Sequence, residues 1–167
     1  GIVALIILGI LENFDVKSMP KNDYIHLFCE AIKIGYFLRD QYLADANYNK
    51  LSVTNFLSKK SLEQYASKID FNRAKVYEKS LFPDHPDTIY LTVRDKNGMT
   101  ISFINSLFDP FGSGITAPKS GILFHCRGRG FNLIEGHPNK LCPNKRPLHT
   151  IIPAMISNKN KLIGSFG

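Results

Sequence analysis

The hydrophobic period of the chain changes once, near residue 87, and that change constrains the fold more than any other feature. Up to about residue 80 the apolar residues recur at helical spacing. Leu27, Phe28, Ala31, Ile32, Gly35, Leu38 and Tyr42 fall three and four apart, which puts them on one helix face. Asn22 or Asp23 is the expected cap of that helix. Residues 1–11 are apolar up to Glu12, too short for a membrane span, and read as a buried helix. A shorter helix is expected over 61–69, capped by Ser61. From Asp87 the pattern alternates instead: Ile89, Leu91 and Val93 interleave with Tyr90, Thr92 and Arg94. Asp95-Lys-Asn-Gly98 then reverses the chain into 99–106, which is a hairpin signal. Further strands are expected at 121–124, 149–156 and 162–165, with turns at 118–121 and 158–160. Helices followed by hairpins predict an α+β fold of packed helix and sheet layers.

Composition narrows the class. The 167 residues are 44% apolar and 21% charged, so the chain has a real core and is not disordered. A formal charge of +7 keeps nucleic acid or an anionic substrate open as partners, yet the basic residues are spread along the chain. Three cysteines, Cys29, Cys126 and Cys142, form no disulfide framework and favour a reducing, cytoplasmic setting. A secretory leader would need a basic front, which residues 1–11 lack.

Several residues could carry chemistry, each with a plainer alternative. Thr88 is a normal strand residue, and Asp87 a normal turn residue after Pro86. Alternatively Thr88 is a nucleophile. A Thr hydroxyl needs a base beside it, and its own free α-amine, with pKa of about 7.7–8.0, can be that base. This requires cleavage of the Asp87–Thr88 bond. Phe111-Gly-Ser-Gly-Ile115 is either a turn or a close backbone approach to a ligand. Arg127 and Arg129, in Cys126-Arg-Gly-Arg-Gly-Phe131, can contact RNA, clamp a carboxylate or simply be solvated. His125, Cys126, His137, Cys142 and His149 match no usual zinc spacing, so no metal is expected. His149 and Thr150 open an apolar segment after Asn144-Lys-Arg-Pro-Leu148, where polar groups either line a site or are structural.

Taken in order, these segments resemble the γ-glutamyltranspeptidase family of N-terminal nucleophile hydrolases. The resemblance is carried by Asp87-Thr-Ile-Tyr-Leu-Thr-Val93, Phe111-Gly-Ser-Gly-Ile115, Gly121-Ile-Leu123, and Asn144-Lys-Arg-Pro-Leu148 followed by Pro153. Upstream, residues 1–14, Arg39-Asp-Gln-Tyr-Leu-Ala-Asp45 and Leu57-Ser-Lys59 also match. The resemblance implies a fragment of a four-layer αββα sandwich and a precursor that cuts itself between Asp87 and Thr88. Residues 1–87 then belong to the large subunit and 88–167 to the small one, with a homodimer of such heterodimers as the assembly. It implies Thr88 as nucleophile, Ser106 as the hydroxyl bonded to it, and Arg127, His149 and Thr150 on the substrate side. No cofactor, nucleic acid or membrane partner is implied.

The sequence departs from the family where the substrate is held. Arg127 and Gly130 stand where transpeptidases carry a Gln and an Asp that grip the glutamyl amine. Phe108 stands at an Asn position, and His149-Thr150 replace a Ser pair. These changes, with Gly136-His-Pro-Asn139, resemble the branch that includes oxamate amidohydrolase-like members. The resemblance implies an amide hydrolase or acyltransferase that works through an acyl-enzyme on a γ-glutamyl or related small amide bearing a carboxylate. These changes favour hydrolysis, with an inactive family member or a basic nucleic-acid module as alternatives. The chain is expected to be a piece of a longer protein, inactive alone. By resemblance, the oxyanion glycines would follow Gly167, an Arg for the substrate carboxylate would precede Gly1, and targeting information would lie upstream.

Overall fold

The structure, a computed structural model, describes residues 1–49, 52–77 and 87–167. These fall into two compact units. One holds residues 2–49, 52–77 and 131–148; the other holds 87–130 and 149–167 together with Gly1.

The first unit is helical. Helices α1 (Ile2–Leu11), α2 (Lys21–Tyr42), α3 (Val53–Phe56) and α4 (Lys59–Ala66) follow in order. Ile6, Ile10, Ala31, Ile34, Leu38, Phe56 and Ala66 form the core. Burial of each Ile or Leu contributes about 1.5–3 kcal/mol. Helix α1 is only half buried, because Leu5 and Leu8 are exposed. The buried stripe of α2 is Leu27, Glu30, Ala31, Ile34, Gly35 and Leu38. Phe28 and Tyr42, expected on that stripe, are exposed at its margins.

Two expected caps move. Helix α2 starts directly after Pro20, whose carbonyl accepts from the Tyr24 amide at 2.9 Å, and no side chain caps it. Pro fits there because its fixed φ suits a helix entrance and it lacks only an N–H. Helix α4 is capped by Ser58 rather than Ser61: Ser58 Oγ accepts from the Ser61 amide at 3.3 Å. Ser61 Oγ instead donates to the Asn55 carbonyl at 2.8 Å. The two serines three residues apart read alike as capping signals, and the chain uses the earlier one.

The second unit contains two antiparallel hairpins. Strands β1 (Asp87–Arg94) and β2 (Thr100–Phe108) pair, as do β3 (Ala154–Asn158) and β4 (Lys161–Phe166). The first turn is held by Asp95 Oδ1, which accepts from the amides of Asn97 at 2.9 Å and Met99 at 2.8 Å. Gly98 supplies a φ of 91°. The second turn places Lys159 and Asn160 at φ 45° and 64°, the pair of left-handed residues that a two-residue hairpin requires. Ser102 Oγ donates to the Phe166 carbonyl at 3.4 Å, so β2 and β4 touch.

Of the further strands expected, one is absent and one begins late. Segment 121–124 makes only the single bridge Thr116–Leu123, and 149–153 is irregular before β3 begins at Ala154. Pro153 lacks the amide a ladder needs, so pairing starts after it. In Phe111–Ile115 the φ values of Phe111, Gly112 and Gly114 are all positive. A Cβ on Gly112 would lie 2.4 Å from the Phe124 carbonyl oxygen, so the close backbone approach expected there is to the chain itself.

Candidate active site

The register of β1 and β2 breaks at Thr88. Asp87 pairs with Phe108 and Ile89 with Asn105, so Thr88 alone faces Ser106 and Leu107. A bulge of this kind re-aims side chains locally. Here it brings two hydroxyls together: Thr88 Oγ1 donates to Ser106 Oγ at 3.0 Å. Ser106 Oγ also accepts from the Phe108 amide at 3.0 Å. Thr88 is exposed and Ser106 half-buried. Both border a shallow cavity of about 180 Å³, lined also by Asn105, Leu107, Asp109 and Phe111.

The other predicted residues lie in the same unit. Arg127 opens the 3-10 turn Arg127–Gly130 and is buried. Its Nη1 donates to Thr150 Oγ1 at 3.3 Å, and its Cζ lies 5.1 Å from the centroid of the Phe108 ring. Nη2 is buried without a hydrogen-bond partner among the described residues, and burial lowers the pKa of the guanidinium. His149 has its pKa lowered, first by burial, then by the Arg127 charge and then by His125. Thr88 and Ser106 thus form one group, and Arg127, Thr150 and His149 a second, with Phe108 touching both. The side chain of Asp87 lies outside the described residues.

Arg129 does something different from Arg127. It pairs with Asp109, which also accepts from Cys126 Sγ at 3.3 Å. Asp109 borders the cavity, and Arg129 offsets its charge. Sequence reasoning singled out Arg129 but missed Asp109, because a turn Asp after an apolar strand is unremarkable. It also missed the conformation of Phe108, whose φ of 83° has no signal in a Phe codon position flanked by strand residues. Among the described residues no three His, Cys, Asp or Glu side chains gather as a metal site, and no helix is long and apolar enough to cross a membrane.

Comparison with known proteins decides the family. The gamma-glutamyltranspeptidase family model matches residues 1–167. The chain belongs to the γ-glutamyltranspeptidase family. It is 36% identical over 163 residues to the glutathione hydrolase-like YwrD proenzyme of Bacillus subtilis, covering 96% of this chain and 30% of that protein. It is 34% identical over 154 residues to the oxamate amidohydrolase proenzyme of Klebsiella pneumoniae, covering 92% of this chain and 29% of that protein. The crystal structure of cephalosporin acylase from Bacillus halodurans matches with a TM-score of 0.83 at 32% identity, over 98% of this chain and 30% of that one. The chain therefore spans under a third of the length of these relatives. The structural match bears out the α+β, N-terminal nucleophile hydrolase reading. The relatives are proenzymes, amidohydrolases and acylases, which places the chain in a family of amide hydrolases.

Proposed function

We propose that the protein carrying this chain is a self-processing amide hydrolase or acyltransferase with Thr88 as its N-terminal nucleophile. The observation that carries this reading is the Thr88–Ser106 hydroxyl pair at 3.0 Å, set by the bulge at the edge of a cavity. In the precursor, Thr88 Oγ attacks the Asp87 carbonyl carbon. The acyl group moves from the Thr88 nitrogen to its oxygen, and water opens the resulting ester. Asp87 then ends the large subunit and Thr88 begins the small one.

The freed α-amine is the base for turnover. It takes the proton from Thr88 Oγ as the oxygen attacks the substrate carbonyl, and it returns a proton to the departing amine. An acyl ester on Thr88 forms, and water or an acceptor amine resolves it. Ser106 Oγ, locked by the Phe108 amide, orients the Thr88 hydroxyl beforehand. Such preorganisation supplies much of what positioning can give a reaction.

The substrate is a small amide bearing a carboxylate. Support comes from Arg127, a cation with no acidic partner among the described residues, beside Thr150 and His149. The carboxylate of Asp109, which could have met a substrate ammonium, is paired with Arg129. This favours an acyl group with a negative charge over a γ-glutamyl group with its ammonium. The relatives named oxamate amidohydrolase and cephalosporin acylase are in keeping with such a substrate, beside the relative named glutathione hydrolase-like.

Thr88 variants of the full-length protein test the reading. Thr88→Ala should leave the precursor uncut and lower turnover by about 10⁴-fold or more, as removal of a nucleophile does. Thr88→Ser should retain both activities at a reduced rate. An uncut Thr88→Ala protein with normal turnover is the result that sinks it.

A further inference from the structure

Phe108 holds a backbone conformation that its side chain disfavours. Its φ is 83°, and the residue is completely buried. Gly or Asn tolerates that region, whereas a bulky side chain there is strained. Strain of this kind persists only where surrounding contacts over-determine it, and it concentrates at functional sites.

The contacts that hold Phe108 are identifiable. Its amide donates to Ser106 Oγ at 3.0 Å, and its ring lies beneath the Arg127 guanidinium at 5.1 Å. In register it faces Asp87 across the hairpin. Arg127 is itself anchored, through Nη1 to Thr150 Oγ1 at 3.3 Å and through its amide to His125 Nδ1 at 3.2 Å. The adjacent Leu107 carbonyl accepts from the Cys126 amide at 3.0 Å, which ties the end of β2 to the segment carrying Arg127. A buried guanidinium with no acid beside it gains from an aromatic face, so ring and cation stabilise each other.

We propose that Phe108 is a positioning residue, which fixes Ser106 Oγ relative to Thr88 and couples it to Arg127. The inference rests on Thr88 being the nucleophile. Rotation about the N–Cα bond of Phe108 towards an ordinary negative φ must either lift the ring from beneath Arg127 or swing the amide off Ser106 Oγ. With both ends held, neither occurs. Ser106 Oγ therefore receives two donors, the Phe108 amide and Thr88 Oγ1, in fixed directions. The ring acts at a distance from the reacting atoms, and its effect belongs in the rate of the chemical steps rather than in substrate affinity.

Three substitutions in the full-length protein test this. Phe108→Tyr keeps an aromatic face under Arg127 and should retain kcat and self-cleavage within about twofold. Phe108→Leu keeps a buried apolar side chain but loses the face. Phe108→Gly relieves the backbone and releases the ring end. Leu and Gly should each lower kcat and slow self-cleavage by about three- to tenfold per folded molecule, up to the loss expected on removing the Ser106 oxygen itself, with KM moved far less. Folded fraction is read by circular dichroism and thermal melting. Equal kcat for the Tyr and Leu variants overturns the proposal, as does an effect confined to KM or to the melting temperature. If the Gly variant does not fold, the Tyr–Leu pair still decides. Normal turnover in Thr88→Ala retires the underlying reading instead, whereas an inactive Thr88→Ala beside fully active Leu and Gly variants retires only the role of Phe108.

Discussion

Ser106 joins the parts of the proposed site, because its oxygen accepts from both Thr88 and Phe108. Ser106→Ala leaves a strand-end amide and a hydroxyl without their acceptor. A lost hydrogen bond of this type is worth about 0.5–1.5 kcal/mol, so kcat should fall by about twofold to tenfold. Ser106→Thr keeps the oxygen and should stay close to wild type; steady-state kinetics on the two variants checks this. His149 gives a pH signature at the same scale. Its folded pKa lies below the unfolded value of about 6.5, so the unfolded chain binds the proton first. Stability should therefore fall as pH drops from about 6.5 towards the lowered value, and His149→Gln should flatten that part of a denaturation-versus-pH curve. The pairing of Thr88 with Ser106 was legible only through the family resemblance, since residue statistics make Thr88 an ordinary strand Thr. Phe108 was legible only as a departure from the family. Its left-handed backbone was not, because Phe carries none of the small or polar character by which such positions announce themselves.

At the scale of elements, the helices pack closely at two glycines. A Cβ on Gly35 of α2 would lie 2.9 Å from Ile7 Cγ1, and one on Gly9 of α1 would lie 2.6 Å from Leu62 Cδ1. A larger side chain overpacks these crossings. Gly35→Val should destabilise the protein by about 1–3 kcal/mol, read as a lower midpoint in urea unfolding with an unchanged slope. Periodicity located α2 and the β1–β2 hairpin well, since both have long, consistent patterns. It extended the buried stripe too far, to Phe28 and Tyr42, and omitted Ile34 and Glu30. Glu30 is buried against Lys33 and accepts from the Lys75 amide at 3.3 Å, a long-range partner that no local pattern contains. The bulge at Thr88 was equally invisible, because a register shift depends on both strands at once.

For the whole molecule, the helical unit is built from chain on both sides of the Asp87–Thr88 bond. Asp45 is buried and accepts from the Arg146 amide at 2.8 Å, from its Nε at 3.2 Å and from its Nη2 at 2.9 Å. His137 Nε2 bonds the Asp40 carbonyl at 2.8 Å, and Tyr48 Oη donates to the Pro143 carbonyl at 3.0 Å. After cleavage these contacts would join the two pieces. The bonds to Arg146 hold the Asp45 carboxyl well below the usual carboxylate range. A depressed folded pKa contributes stability that is present above the unfolded value of about 3.9 and is lost as pH falls through the folded one. The cut pieces should therefore stay together on size exclusion at neutral pH, with the Asp45–Arg146 contribution lost only in strong acid. Asp45→Asn should separate them more readily at neutral pH and remove that part of the acid dependence.

The position of the cut is measured most directly by the mass of the mature protein's pieces. Intact-mass spectrometry with N-terminal sequencing of the active, full-length protein should find a small subunit that begins at Thr88 and a large one that ends at Asp87. Active protein with the Asp87–Thr88 bond unbroken, or a small subunit that begins at any other residue, would contradict the account.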